Sequence, residues 1–297
     1  MTVVRKICLG VILTVAISLA IVLLVPSPVM QATTCLIDAG REVPLSISDL
    51  SAFPQSMIDE ANALAAELFG HDREKFSDFI NQLLATYLVA KDKDVVIIFN
   101  SGGLGWTTVA DTREGESFIA GIEPELASMG LNPVFLNHKR TVNTFNSLAG
   151  EFMLAFGLYP PKSRDLAARV TFITDHLPDL RVILAGLSNG TVICDDVMKI
   201  LKNNPRVYSI QLGPPFWNGV TSSDRSLVIR SNGTVPDSFS QGDLLAIIRA
   251  NIESLFGLSQ EYPGGILLYV AAPGHDYNWE YPGVQSQIIA FLQANYK

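Results

Sequence analysis

The chain has 297 residues, 48% of them hydrophobic, with 21 Lys and Arg against 29 Asp and Glu for a net charge of -8. This composition excludes a disordered or fibrous chain and supplies enough apolar surface for one large domain or two small ones. The acidic balance leaves no electrostatic footprint for nucleic acid. Three cysteines, Cys8, Cys35 and Cys194, form neither a disulfide framework nor a CxxC metal site, and a Cys35 to Cys194 bridge stays open without support.

Residues 7–25 are an uncharged apolar run preceded by Arg5 and Lys6. Its length, about 19 residues, is what a membrane-spanning helix needs, and the basic flank predicts that everything after it lies outside the cytoplasm. A cleavable signal peptide, which would leave a secreted protein, is the alternative. Its apolar region would be shorter, and Met30 spoils the best cleavage site after Ala32. The residues ahead of Cys35 are not a lipoprotein box. Pro26, Pro28 and the polar stretch as far as Pro54 read as a linker over residues 26–54, so that one domain covers about 55–297, with no internal repeat.

Two helices are predicted to lead this domain, Gln55 to Phe69 and Arg73 to Ala90. In the second, Phe76, Phe79, Ile80, Leu83, Leu84, Tyr87 and Leu88 recur on one face that should pack on a sheet. Apolar runs bounded by turn residues then predict strands at Val95 to Phe99, Pro133 to Leu136, Val182 to Ala185, Val207 to Leu212, Leu227 to Arg230 and Ile266 to Val270. Helical patterns separate most of them: Glu116 to Ser128, Arg164 to His176, Thr191 to Asn203, Leu244 to Phe256 and Val284 to Asn295. Strands buried on both faces and alternating with helices predict an α/β fold, a doubly wound, mostly parallel sheet with helices on both faces.

The strand Val182 to Ala185 runs into Gly186, Leu187, Ser188, Asn189 and Gly190 and then a helix. This GxSxG pattern between strand and helix is a turn that lifts a serine hydroxyl above the sheet edge. A helix-capping serine in a glycine-rich turn is the bland alternative. A hydroxyl needs a base, and the chain has four histidines. His71 opens a helix, His176 lies in one, and His138 sits beside Lys139 and Arg140, where a solvated or structural role is expected. His275 follows the last predicted strand and precedes the closing helix, which places it on the sheet edge that carries Ser188.

The Ser188 turn, an acid between it and His275, and the closing strand, histidine and helix together resemble the α/β-hydrolase superfamily from about Asp94 to the C-terminus. The resemblance implies Ser188 as nucleophile, His275 as base and an acid after the strand Leu227 to Arg230, where Asp237 and Asp243 are available. Asp237, seven residues past Arg230 and after Asn232, Gly233 and Pro236, has the better reach. Asp243 directly precedes a helical run and is explained as its cap. The resemblance also implies an oxyanion hole from the N–H of Asn189 and one from the loop Asn100 to Trp106, with Gly103 favoured over Leu104. The pattern departs from the family in lacking evident first antiparallel strands. The connection Leu212 to Ser226 is too short for a large cap, which leaves Lys139 to Lys162, with Phe145, Leu148, Phe152, Met153, Phe156 and Tyr159, as a cover or simply as core. Phe216, Trp217 and Trp279 flank strand ends as pocket or core residues.

No HExxH, P-loop or paired metal-ligand spacing occurs, so no metal and no cofactor are implied. The Asn-Gly-Thr triplets at Asn189 and Asn232 are not read as glycan sites. The expectation is a membrane-anchored serine hydrolase acting on a small-molecule or lipid-like acyl substrate, most simply a carboxylic ester. Acyl transfer and cleavage of small peptides use the same machinery, and a non-catalytic binding protein can keep the same fold.

Overall fold

The computed structural model describes residues 34–39, 45–47, 49–70, 72–141, 160–220, 222–258, 264–267 and 270–296. The apolar run at 7–25, most of the stretch read as a cover (142–159) and His71 lie outside them. Among the described residues no helix is long and apolar enough to cross a membrane.

Strands β1 (Cys35–Asp38), β2 (Val95–Asn100), β3 (Pro133–Lys139), β4 (Arg181–Leu187), β5 (Val207–Leu212) and β6 (Ser226–Ile229) form a six-stranded sheet in the order β1-β3-β2-β4-β5-β6. All neighbours are parallel except β1, which runs antiparallel to β3 with Cys35 opposite Lys139 and Asp38 opposite Leu136. Helices α1 (Gln55–Phe69), α2 (Arg73–Ala90), α3 (Arg113–Ser128), α4 (Pro160–His176), α5 (Gly190–Ile200) and α8 (Pro282–Tyr296) cover it, and α6 (Ser238–Gln241) and α7 (Leu244–Leu255) follow β6.

Alternate residues of each central strand face opposite cores, which is why the strands read as unbroken apolar runs. Val96, Ile98, Val182 and Leu184 pack with Phe79 and Leu83 of α2, Phe172 of α4 and Ile193 of α5. Val95, Ile97, Phe99 and Ile183 pack on the other side with Phe118 and Ile122 of α3 and Ile288 and Leu292 of α8. Local capping sets the helix starts: Asp72 accepts from the Lys75 N–H at 3.3 Å and Thr112 from the Gly115 N–H at 3.1 Å.

Two expectations need correction. Residues 26–54 are not simply a linker, because Cys35–Asp38 completes the sheet edge and Leu36, Ile37, Leu45 and Phe53 are buried. Gln82 of α2 accepts the Leu36 N–H at 3.3 Å and Arg169 Nη1 at 3.2 Å, so a buried polar anchor fixes this short strand under the helices. The predicted strand Ile266 to Val270 is two pieces, β7 (Gly265–Leu267) and β8 (Val270–Ala271), which pair antiparallel with each other in a separate sheet. A run of so few residues satisfies its backbone by folding back on itself as readily as by extending the large sheet. Cys35 and Cys194 are free thiols and are not bridged.

Candidate active site

Ser188 stands between β4 and α5 and is the one non-glycine with positive φ, at 51°, among the described residues. Its N–H bonds to the Leu212 carbonyl at 2.8 Å, and its carbonyl accepts the Thr191 N–H at 2.9 Å, so both sides of the turn are fixed. The flanking glycines are needed for space. A Cβ on Gly190 would lie 2.0 Å from the Asn100 carbonyl oxygen, and one on Gly186 would lie 2.8 Å from Cys194 Sγ.

His275 is buried and donates from Nδ1 to Asp237 Oδ2 at 2.9 Å. Its Nε2 has no hydrogen-bond partner among the described residues. The ring lies between Phe239 and Tyr277, with centroids 5.0 and 5.9 Å away and both pairs edge to face. Asp237 divides its two oxygens: Oδ1 accepts the Phe239 and Ser240 N–H groups at 2.9 and 3.0 Å as the cap of α6, and Oδ2 accepts both His275 and the Tyr277 hydroxyl. Burial by itself would raise this carboxyl. The bonds from His275, Tyr277 and the helix end outweigh it and hold Asp237 below the ordinary carboxylate range. Burial, and after it the Asp237 charge, push the Tyr277 phenol far upward, so it stays protonated as a donor. Asp243 accepts the Ala246 N–H at 3.0 Å as the cap of α7, while His275 bonds to Asp237.

The loop after β2 lies against the serine turn. The Asn189 side chain donates to the Gly103 carbonyl at 3.2 Å, which ties together the two segments expected to supply oxyanion donors. Behind the loop, buried Arg140 donates from Nη1 to the Ser101 carbonyl at 2.8 Å and from its backbone N–H to the Gly105 carbonyl at 2.9 Å. His138 donates from Nδ1 to Asn100 Oδ1 at 2.7 Å, and burial, followed by the Arg140 charge, pushes its pKa well down, so it is a neutral structural histidine.

Ser188 and His275 line one cavity of about 380 Å³, together with Gly102, Gly103, Leu104, Trp106, Thr107, Thr112, Glu114, Leu187, Gly265 and Ile266. The wall is apolar apart from the two threonines and Glu114. Burial of the Glu114 carboxyl, with the nearby Asp276 charge adding to it, raises its pKa. Phe216 and Trp217 are not on this wall but exposed at the surface, and Trp279 packs on Gly121 of α3. His176 lies in α4 and donates from Nδ1 to the Phe172 carbonyl at 3.0 Å, and Asn232 is buried. Tyr277, Arg140 and Glu114 are site residues that no motif in the sequence marks. Tyr277 stands two residues past His275, which is the one local signal for it; Arg140 and Glu114 reach the site only through tertiary packing.

The sheet and the serine turn together make this an α/β-hydrolase-like fold. No protein-family model matches the chain, and no curated protein matches it. Among solved structures, it is similar to a Trichoderma reesei cutinase in complex with a phosphonate inhibitor, at 12% identity over 59% of this chain and 74% of that one, with a TM-score of 0.36. It is also similar to an alpha-beta serine hydrolase homologue from Coxiella burnetii, at 17% identity over 42% of this chain and 52% of that one, with a TM-score of 0.28. At these scores the description of the fold rests on the strand order and the serine turn themselves.

Proposed function

We propose that the chain is a membrane-anchored serine hydrolase, its catalytic domain outside the cytoplasm, that cleaves carboxylic esters through an acyl-enzyme on Ser188. The observation that carries this is the pairing of His275 Nδ1 with Asp237, which leaves Nε2 without a hydrogen-bond partner among the described residues, on a residue that shares its cavity with Ser188. A carboxylate on Nδ1 fixes the tautomer whose bare Nε2 accepts a proton.

In this reaction Nε2 takes the Ser188 proton as Oγ attacks the ester carbonyl. Asp237 stabilises the imidazolium that forms, and the Tyr277 hydroxyl keeps the carboxylate in place. The oxyanion is received by the N–H groups of Asn189 and of Gly103 or Leu104. Asn189 stands at the start of α5, where helical N–H groups lack carbonyl partners, and positive helix-end charge favours the anion. Collapse of the tetrahedral intermediate expels the alcohol, which takes the proton from His275, and water then repeats the sequence on the acyl-enzyme. The largely apolar wall suits the acyl chain of an uncharged ester.

A fluorophosphonate probe tests this directly. The full chain is expected to label at Ser188, with Ser188→Ala unlabelled at equal folded concentration. Equal labelling of both proteins would overturn the assignment.

A further inference from the structure

Helix α7 carries its apolar residues on the wrong side for a helix that only serves the core. Ile247 is buried against Phe239 and Ala272, and Asn251 bonds the Ala271 main chain through both N–H and carbonyl at 3.0 and 2.8 Å. Those two positions hold the helix down on β8. Leu245, Ile248, Ile252 and Phe256, spaced by three or four and so forming one stripe, face outward, with Leu245 80% and Phe256 71% exposed. Leu244 and the exposed Phe216, which lies against Gly242 just before the helix, extend the patch. A contiguous apolar surface of this kind marks an interaction site.

The path of the chain selects the occupant. Because β1 is antiparallel to β3 and Cys35 pairs with Lys139, the polypeptide enters the sheet at the carboxyl ends of the parallel strands. That is the edge that carries Ser188, and Ile266, on the cavity wall, packs against the Ile247 cluster beneath α7. Only residues 26–33 separate the apolar run at 7–25 from Thr34, a reach of at most about 29 Å even when fully extended. Six strands at about 4.8 Å spacing span about 24 Å, so a tether of this length at β1 leaves the opposite end of the same edge within reach of the anchoring surface.

We propose that the outward stripe of α7 docks on the leaflet of the bilayer that holds the chain's own residues 7–25, so that the cavity mouth faces lipid and takes amphiphilic esters from the membrane surface. The inference rests on the anchored-hydrolase reading above and extends it to substrate delivery.

The test uses the full chain reconstituted in phosphatidylcholine vesicles. In Leu245→Trp, fluorescence from the added indole is expected to be quenched by brominated phosphatidylcholine beyond the quenching of the wild-type protein, and its absence overturns the docking. The double variant Leu245→Asp, Ile248→Asp is expected to lose about tenfold in turnover of a long-chain ester carried in the vesicles and to match the wild type within twofold on a water-soluble short-chain ester. Equal turnover by variant and wild type on both esters overturns the proposal. An added indole that is shielded from bromine while position 245 cross-links between copies places a second copy on the face and also overturns it. If the wild type turns over neither ester, the hydrolase reading fails; if alkaline carbonate strips it from the vesicles, the anchor reading fails. Loss of the anchor also overturns docking beside residues 7–25; loss of turnover alone leaves the docking to the quenching, whose presence supports it and whose absence overturns it.

Discussion

Ser188 holds φ at 51°, in a region that costs an L-residue about 1–2 kcal/mol, and its Cβ lies beside Gly102. Glycine carries no such penalty. Ser188→Gly is therefore expected to raise stability by about 1 kcal/mol in urea unfolding while losing all probe labelling, a stability gain at the cost of chemistry. Asp237 and Asp243 both cap helices, yet only Asp237 also receives His275. Asn caps about as well as Asp, so both Asn variants should fold. Asp237→Asn is expected to lower ester turnover about 10⁴-fold through a mis-set tautomer, and Asp243→Asn to stay within twofold; the reverse outcome would exchange the two roles. The Asp237 carboxyl also titrates below its ordinary value. The stability it contributes is thus complete above the unfolded value of about 3.9 and is lost as pH falls through the folded one. Between pH 4 and 2, by calorimetry, the wild type should accordingly lose stability more steeply than Asp237→Asn.

The turn between β4 and α5 works as an element because the β2 strand end presses on it. The Asn100 carbonyl sits where a Gly190 side chain would project, and Asn100 itself bonds to His138 and to Cys194 Sγ at 3.6 Å. Gly190→Ala is expected to cost about 3 kcal/mol or more in urea unfolding, because a backbone carbonyl must yield rather than a flexible side chain. It should also depress turnover in the protein that remains folded, since the strand end that moves carries the oxyanion loop. An unchanged midpoint and rate would show that the close contact is not maintained. Strand β1 teaches the complementary lesson. Its four residues, Cys35 to Asp38, show no period that local pattern could resolve, and they join the sheet through β3 and the Gln82 side chain of α2.

For the whole molecule, the basic flank of residues 7–25 predicts orientation. The full chain should sediment with membranes and be cut by protease added outside intact cells. Protection from that protease would reverse the topology, and a product about 30 residues shorter in the soluble fraction would show the segment to be a cleaved signal. The domain itself puts its entry strand, serine turn and histidine loop at one end of the main sheet, and α7 packs on β8 beside the same cavity. In the proposed arrangement a single membrane-facing end has both the tether and the chemistry.

The parallel α/β layering is legible in local pattern, because strands buried on both faces must be apolar throughout and helices between them must be amphipathic. So is the serine turn, since two glycines around a serine between strand and helix are a local requirement of space. Features that depend on partners distant in the chain come from packing alone. Asp237 and His275 are 38 residues apart, Tyr277 braces the acid from the far side of that loop, and Arg140 holds the Ser101 carbonyl across 39 residues. The last predicted strand pairs with itself rather than with the sheet, and the apolar side of α7 faces outward rather than inward. Hydrophobic periodicity reports that a face is apolar; which surface covers that face is decided by packing.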